Sequence, residues 1–139
     1  MLIKGDDIKL FLTDLCGRIC YRPKGVLLRT GFDDEKIEVI GYDGHFIDFF
    51  RKGDYDQASI DLVRLYLRPM SSMTEEEEGM YNLLQGISHL EEQHWTAKDG
   101  KIYRYSDAID WLNENHFDYR GLIEKGFALE APEGMYKNN

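Results

Sequence analysis

Apolar residues near the start of the chain recur with the period of a helix, then change to that of a strand. Ile8, Phe11, Leu12 and Leu15 share one helical face over residues 6–17. Asp6 or Asp7 is placed to cap the free N–H groups, and Gly17 is a natural stop. Val26-Leu27-Leu28 then form a short apolar run within a strand expected over residues 26–30. Residues 36–42 and 45–51 flank Asp43-Gly44, a dipeptide suited to a two-residue type I′ turn with positive φ at both positions. That turn predicts a hairpin pairing Tyr42 with His45, Ile40 with Ile47 and Glu38 with Phe49 on one face. The other face then pairs Gly41 with Phe46, Val39 with Asp48 and Ile37 with Phe50. Both faces are largely apolar, so both are expected to be covered, with Phe46 lying across the bare Gly41 backbone. A further strand is expected near residues 60–66.

Pro69 disfavours helix at Arg68 and closes this first lobe. A long helix is expected over residues 74–92, opened by a capping box of Thr74 and Glu77, with glutamates 75–78 at the positive end of its dipole. Met80, Leu83, Leu84, Ile87 and Leu90 form its apolar stripe. Asp99-Gly100 suggests a second hairpin between Trp95-Thr96 and Ile102-Tyr103. Ser106 is expected to cap a helix through about Asn115, and Asp118 another through Lys125. The most densely patterned stretch, residues 111–135, reads as core: Trp111, Leu112, Leu122 and Ile123 are expected to bury against the helix of residues 74–92.

These elements predict an α+β protein. An N-terminal helix and a small antiparallel sheet of three to four strands, barrel-like or helix-covered, occupy residues 1–69. An acidic, mainly helical three-helix lobe occupies residues 70–139 and shares one core with the first. A chain of 139 residues with 42% hydrophobic and 13% aromatic content is long and apolar enough for such a core. Most of the net charge of −9 falls in the second lobe, which argues against a general phosphate-backbone binder. The first residues lack the continuous apolar run of a secretory signal, and no stretch approaches the roughly 20 apolar residues of a membrane span. A cytoplasmic protein is therefore expected.

Candidate chemistry is sparse. Cys16 and Cys20 do not have the spacing of a zinc knuckle and read as buried or half-buried thiols; His45, His89, His94 and His116 are scattered. No metal site and no cofactor are expected. Arg18, Tyr21, Arg22, Lys24 and Arg29 lie in a stretch without a single acid and are the candidate for a phosphate-binding patch. Pairing of these cations with the acidic second half is the competing expectation. His116, Asp118 and Arg120, with Tyr103 and Asp110, contain the pieces of an acid–base pair with an anion-holding guanidinium. A helix end, a cap and an ion pair account for them equally. No Gly-rich phosphate loop, nucleophile elbow or paired-histidine motif is present, so no catalytic residue is assigned.

Three motifs carry a resemblance. Residues 66–77 (YLRPMSSMTEEE), 110–113 (DWLN) with 116–123 (HFDYRGLI), and 129–136 (LEAPEGMY) resemble a family of short proteins carried by phages, prophages and mobile elements of gut anaerobes. The likeness extends to LTDLC at residues 12–16 and covers about half of the positions. In that family a proline more often stands where this chain has Cys20, so no role is attached to Cys20. The resemblance implies a small phage-type accessory protein of a bacterial cytoplasm and names no reaction. The expected function is non-enzymatic binding of a host or phage protein. Partner choice is assigned to the Asp43-Gly44 hairpin and to residues 95–105. A module for a small molecule such as a nucleotide, or for nucleic acid, is the alternative, and an acidic DNA mimic built on residues 75–78 is a further one. Oligomeric state is not legible.

Overall fold

A computed structural model describes residues 3–29, 34–87, 94–96, 102–104 and 107–136. Helix α1 (Asp6–Arg18) buries Phe11 and Leu15, the face its spacing predicts. Its cap differs from expectation. Gly5, at φ 60°, takes the N-cap position, and Asp6 and Asp7 lie in the first turn, where their charge meets the positive end of the dipole. Gly17 does not stop the helix. A Cβ there would lie 3.1 Å from Asn113 Nδ2, so the glycine makes room for a packed neighbour. The chain continues through a 3₁₀ turn (Ile19–Tyr21) and is turned out by Arg22 at φ 52°.

Five strands follow: β1 (Lys24–Leu27), β2 (Glu35–Tyr42), β3 (Ile47–Arg51), β4 (Asp54–Ala58) and β5 (Val63–Pro69). Then come α2 (Glu75–Ile87), a separate ribbon of β6 (His94–Thr96) and β7 (Ile102–Arg104), α3 (Asp107–Glu114), β8 (Phe117–Asp118), α4 (Leu122–Lys125) and β9 (Ala128–Glu130). The fold is α+β, as the patterning predicts, but the sheet is wider than three to four strands and open. Among the described residues it has seven strands in the order β4-β3-β2-β1-β5-β8, with β9 also on β5. The pairs from β4 to β5 are antiparallel, whereas β8 and β9 pair with β5 in parallel. Such strands are reached only by a long crossover, here the chain from α2 onward.

The first hairpin exists, but its register is corrected. Tyr42 pairs with Ile47 and Val39 with Phe49, and the register slips at Ile40. The loop is therefore four residues, 43–46. Asp43 Oδ1 accepts from the backbone N–H groups of His45 and Phe46, both at 2.8 Å, which holds the loop with only Gly44 at positive φ (97°). A two-residue turn occurs one hairpin later, at Lys52 (φ 51°) and Gly53 (φ 83°), between the paired Arg51 and Asp54. The bulge at Ile40 lets Ile37, Val39, Ile47 and Phe49 share one buried face. The opposite face is not covered as expected: Phe46 is exposed, and the side chain of Asp48, not Phe46, lies against Gly41.

That buried face packs with Phe11 and Leu15 of α1, with Val63, Leu65 and Leu67 of β5, and with Leu122, Phe127 and Ala128 from the last part of the chain. The stripe on α2 receives less than predicted. Leu84 packs with Ala108, Met80 and Trp111, and the Trp111 ring stacks between Tyr81 and Phe117 at 6.2 and 5.6 Å. Leu122 and Ile123 join the sheet core instead, because β8 and β9 draw their segment onto β5. Leu83 faces outward. The capping box forms in both directions: Glu77 N–H donates to Thr74 Oγ1 at 3.2 Å, and Thr74 N–H to Glu77 Oε1 at 3.0 Å. Strands β6 and β7 pair as the second hairpin, in the register Trp95 with Tyr103. Its turn at Asp99-Gly100, the cap Ser106, Leu90, His89 and Thr30 lie outside the described residues.

Candidate functional site

The acid-free stretch does not form one surface. Arg18, on the inner side of α1, is fully buried and grips Asp14 with Nε and Nη2 at 2.8 and 2.9 Å; Nη2 also donates to the Phe117 carbonyl at 2.6 Å. Arg120 adds a second cation to Asp14 at 3.0 Å. Both guanidiniums face the Tyr119 ring, at 5.3 and 4.5 Å. Arg29 pairs with Glu35, which also holds Arg51 at 3.3 Å, and Arg22 is 3.7 Å from Glu38. The carboxylates Asp14, Glu38 and Glu35 that hold Arg18, Arg22 and Arg29 here come from the first half of the chain. The expected pairing with the carboxylates of the acidic second half is corrected for Arg18 and Arg22. What Arg18 and Lys24 meet there is uncharged, the Phe117 carbonyl and Tyr119 ring for Arg18 and the Met135 carbonyl and Tyr136 hydroxyl for Lys24. The reason is local: one helical turn separates Asp14 from Arg18, and the pairing of β1 with β2 brings the flanking Arg22 and Arg29 near Glu38 and Glu35. Tyr21 is half-buried, and burial raises its phenol pKa.

His116, Asp118 and Arg120 are each tied to a different duty. Asp118 caps α4 with both oxygens, accepting from the N–H groups of Leu122 and Ile123 at 2.9 and 3.0 Å. Arg120 belongs to Asp14. His116 sits at φ 63°, is 8% exposed, stacks on Tyr136 at 3.8 Å, and accepts at its carbonyl from Arg68 N–H at 2.8 Å. Burial, then the cations Arg18, Arg68 and Lys24, lower its pKa to about 4, so its ring is neutral at pH 7. Asp110 is exposed on α3, and the Tyr103 side chain lies outside what is described. Cys16 and Cys20 are exposed, not buried: they occupy the outward side of α1 and the 3₁₀ turn while Phe11 and Leu15 point inward. Among the described residues no group of three or more His, Cys, Asp or Glu could hold a metal ion, and no helix is long and apolar enough to cross a membrane.

Two concave regions among the described residues bear on function. A cleft of about 560 Å³ lies where residues 68–77 meet residues 130–136, so two of the sequence motifs build it together. Of its polar groups, Arg68, Thr74 and Glu77 engage one another, while Glu76, Glu130 and Glu133 add carboxylates to its wall. Arg68 holds Glu77 through two bonds of 2.7 and 2.6 Å while lying 4.1 Å over the Phe117 ring. That bidentate pair, with the Thr74 amide, keeps the Glu77 carboxyl below its ordinary pKa against the opposing effect of burial. The Tyr136 hydroxyl lies 2.8 Å from the Tyr66 carbonyl and accepts from Lys24 N–H at 2.8 Å. The cleft is a joint between segments.

The second region, of about 510 Å³, lies on the half-exposed face of the sheet and is lined by Arg22, Lys24, Lys36, Glu38, Phe50 and Lys52. Only Arg22 and Lys24 belong to the stretch singled out from sequence. Lys36 and Lys52 stand apart in the chain, and no spacing rule joins them; strand pairing does. No protein-family model matches the chain, and neither does any curated protein or solved structure.

Proposed function

We propose that the protein is a non-enzymatic, phage-type accessory protein that binds a host or phage protein through the free end of its sheet. The supporting observation is a pair of aromatic side chains left in solvent there. Phe46, in the loop after β2, is 47% exposed, and Tyr55, on the terminal strand β4, is 59% exposed. Covering such rings is favourable, and aromatic anchors dominate many protein interfaces. Both are held in advance, which lowers the entropy lost on binding. The Asp43 carboxylate fixes the loop, the Tyr55 hydroxyl donates to Asp48 at 2.8 Å, and Gln57 bridges Asp43 and Asp48. Asp54 and Asp56 place charge on the edge strand, which opposes pairing with a second copy.

The test is affinity capture from host and phage-infected lysates with the wild type and a Phe46→Ser/Tyr55→Ser variant. The captured protein is then purified and titrated against both. The expected result is one partner whose affinity falls by about tenfold or more in a variant of unchanged melting temperature. Equal binding by the variant, or no specifically captured protein, would overturn the reading.

A further inference from the structure

We propose that the half-exposed face of the sheet binds a compact polyphosphate ligand, a nucleoside di- or triphosphate, in the groove where Arg22, Lys24, Lys36 and Lys52 surround Phe50. The register builds this site. Lys24 pairs with Glu38, Glu38 with Phe50, and Phe50 with Tyr55, so one row of side chains crosses β1 to β4 on the face turned away from α1. Lys36 and Lys52 stand two residues from Glu38 and Phe50, at the same side of that row. Arg22 and Lys52 reach the groove from left-handed backbone, φ 52° and 51°. Non-glycine residues seldom adopt that conformation, and those that do are often held there at functional sites.

Charge selects the ligand. Four cations face one carboxylate in a molecule whose net charge is −9, so the surface outside the groove is strongly negative. Over a screening length of about 8–10 Å a short polyanion responds to the groove alone. A nucleic acid strand or a long acidic chain would run onto the negative surface beyond it. The strand backbones here are paired within the sheet, so this face offers an extended peptide no main-chain partners. A volume of about 510 Å³ suits a ligand of nucleotide size, and the half-buried Phe50 ring gives a base an apolar surface to lie on. The cations can move to phosphate. The Arg22–Glu38 pair is long, at 3.7 Å, with side chains 57% and 43% exposed, and among the described residues neither Lys36 nor Lys52 is ion-paired.

The experiment is calorimetric titration of the full chain with ATP and with inorganic triphosphate at low and high salt. Saturable binding of ATP is expected, weaker for triphosphate and weaker as salt rises. Lys36→Gln with Lys52→Asn should lower ATP affinity by about tenfold or more; asparagine tolerates left-handed backbone, so the turn is kept. Phe50→Leu should weaken ATP but not triphosphate, and Lys9→Gln, on the exposed side of α1, should change neither. Absence of saturable binding, or ATP binding unaffected by the double variant, would overturn the site. Equal affinity for ATP and triphosphate would overturn its nucleoside part. None of these results depends on whether a protein partner is captured through Phe46 and Tyr55.

Discussion

Asp14 is fully buried between the guanidiniums of Arg18 and Arg120, and its negative charge is what keeps Arg18 tolerable inside the protein. Removing one partner of such a pair leaves an uncompensated charge in a poorly polarisable interior. Asp14→Ala should therefore cost about 3–5 kcal/mol in urea unfolding. Arg120→Ala should cost clearly less, because Arg120 is partly exposed and Asp14 keeps Arg18; equal losses would place the dominant interaction elsewhere. His116 makes a second residue-scale prediction. Its pKa of about 4 in the folded protein lies below the ordinary 6.5, so the unfolded chain binds more protons between those values. The stability it contributes is full above pH 6.5 and is lost as pH falls towards 4, on the order of 1–3 kcal/mol. Asparagine at 116 accepts the positive φ and does not titrate. The wild type should then lose more stability than His116→Asn between pH 6.5 and 4, and parallel pH profiles would remove His116 as the source. The burial of Arg18 had no signal in the sequence, where it looked like one more cation of a basic patch.

At the scale of elements, β1 lies close against β5 at Gly25. A Cβ on Gly25 would lie 2.5 Å from the Arg64 carbonyl oxygen, a backbone atom with no room to yield. Gly25→Ala should part these strands and lower stability by about 1–3 kcal/mol. Gly17→Ala meets a side chain and not a backbone, the Asn113 amide at 3.1 Å, and gains up to about 1 kcal/mol of helix propensity that offsets the shift asked of that buried amide. Thermal melts of the two variants should therefore differ sharply, and similar melting temperatures would contradict the close-approach argument. The cap of α2 offers a third measurement: Thr74→Ala removes one arm of a reciprocal pair and should cost about 1 kcal/mol. That box was readable because all of its partners lie within four residues. The Asp43-Gly44 turn was only half readable. The dipeptide suits either a two-residue turn or a side-chain-held four-residue loop. The choice fell to the core, which needed the slip at Ile40 to bring Val39 opposite Phe49.

For the whole molecule, β8 and β9 are the decisive connection. They tie residues 117–130 to β5, and Leu122, Phe127 and Ala128 enter the same core as Ile37 and Phe49. Unfolding should be one cooperative transition. Tryptophan fluorescence, which reports only on the second half through Trp95 and Trp111, should melt together with the amide-exchange protection of β2 and β3. Separate midpoints would show two independent units. The sequence by itself determined the α+β class, the helical face of α1, two of the three hairpins as elements, the capping box at Thr74 and the use of the Asp118 carboxylate at the start of α4, although Gly121 takes the N-cap position there. Each of these depends on a period or on side-chain-to-backbone bonds among near neighbours. Tertiary structure alone decided the rest. Strands β8 and β9, of two and three residues, are too short to show a period and exist only because β5 offers them an edge. Arg18 is buried because Phe117 and Tyr119, from a distant part of the chain, close over its pair with Asp14. The cationic groove arises because antiparallel pairing sets Lys24, Glu38 and Phe50 in one row, and contacts across such separations follow from register and burial, which no local pattern encodes.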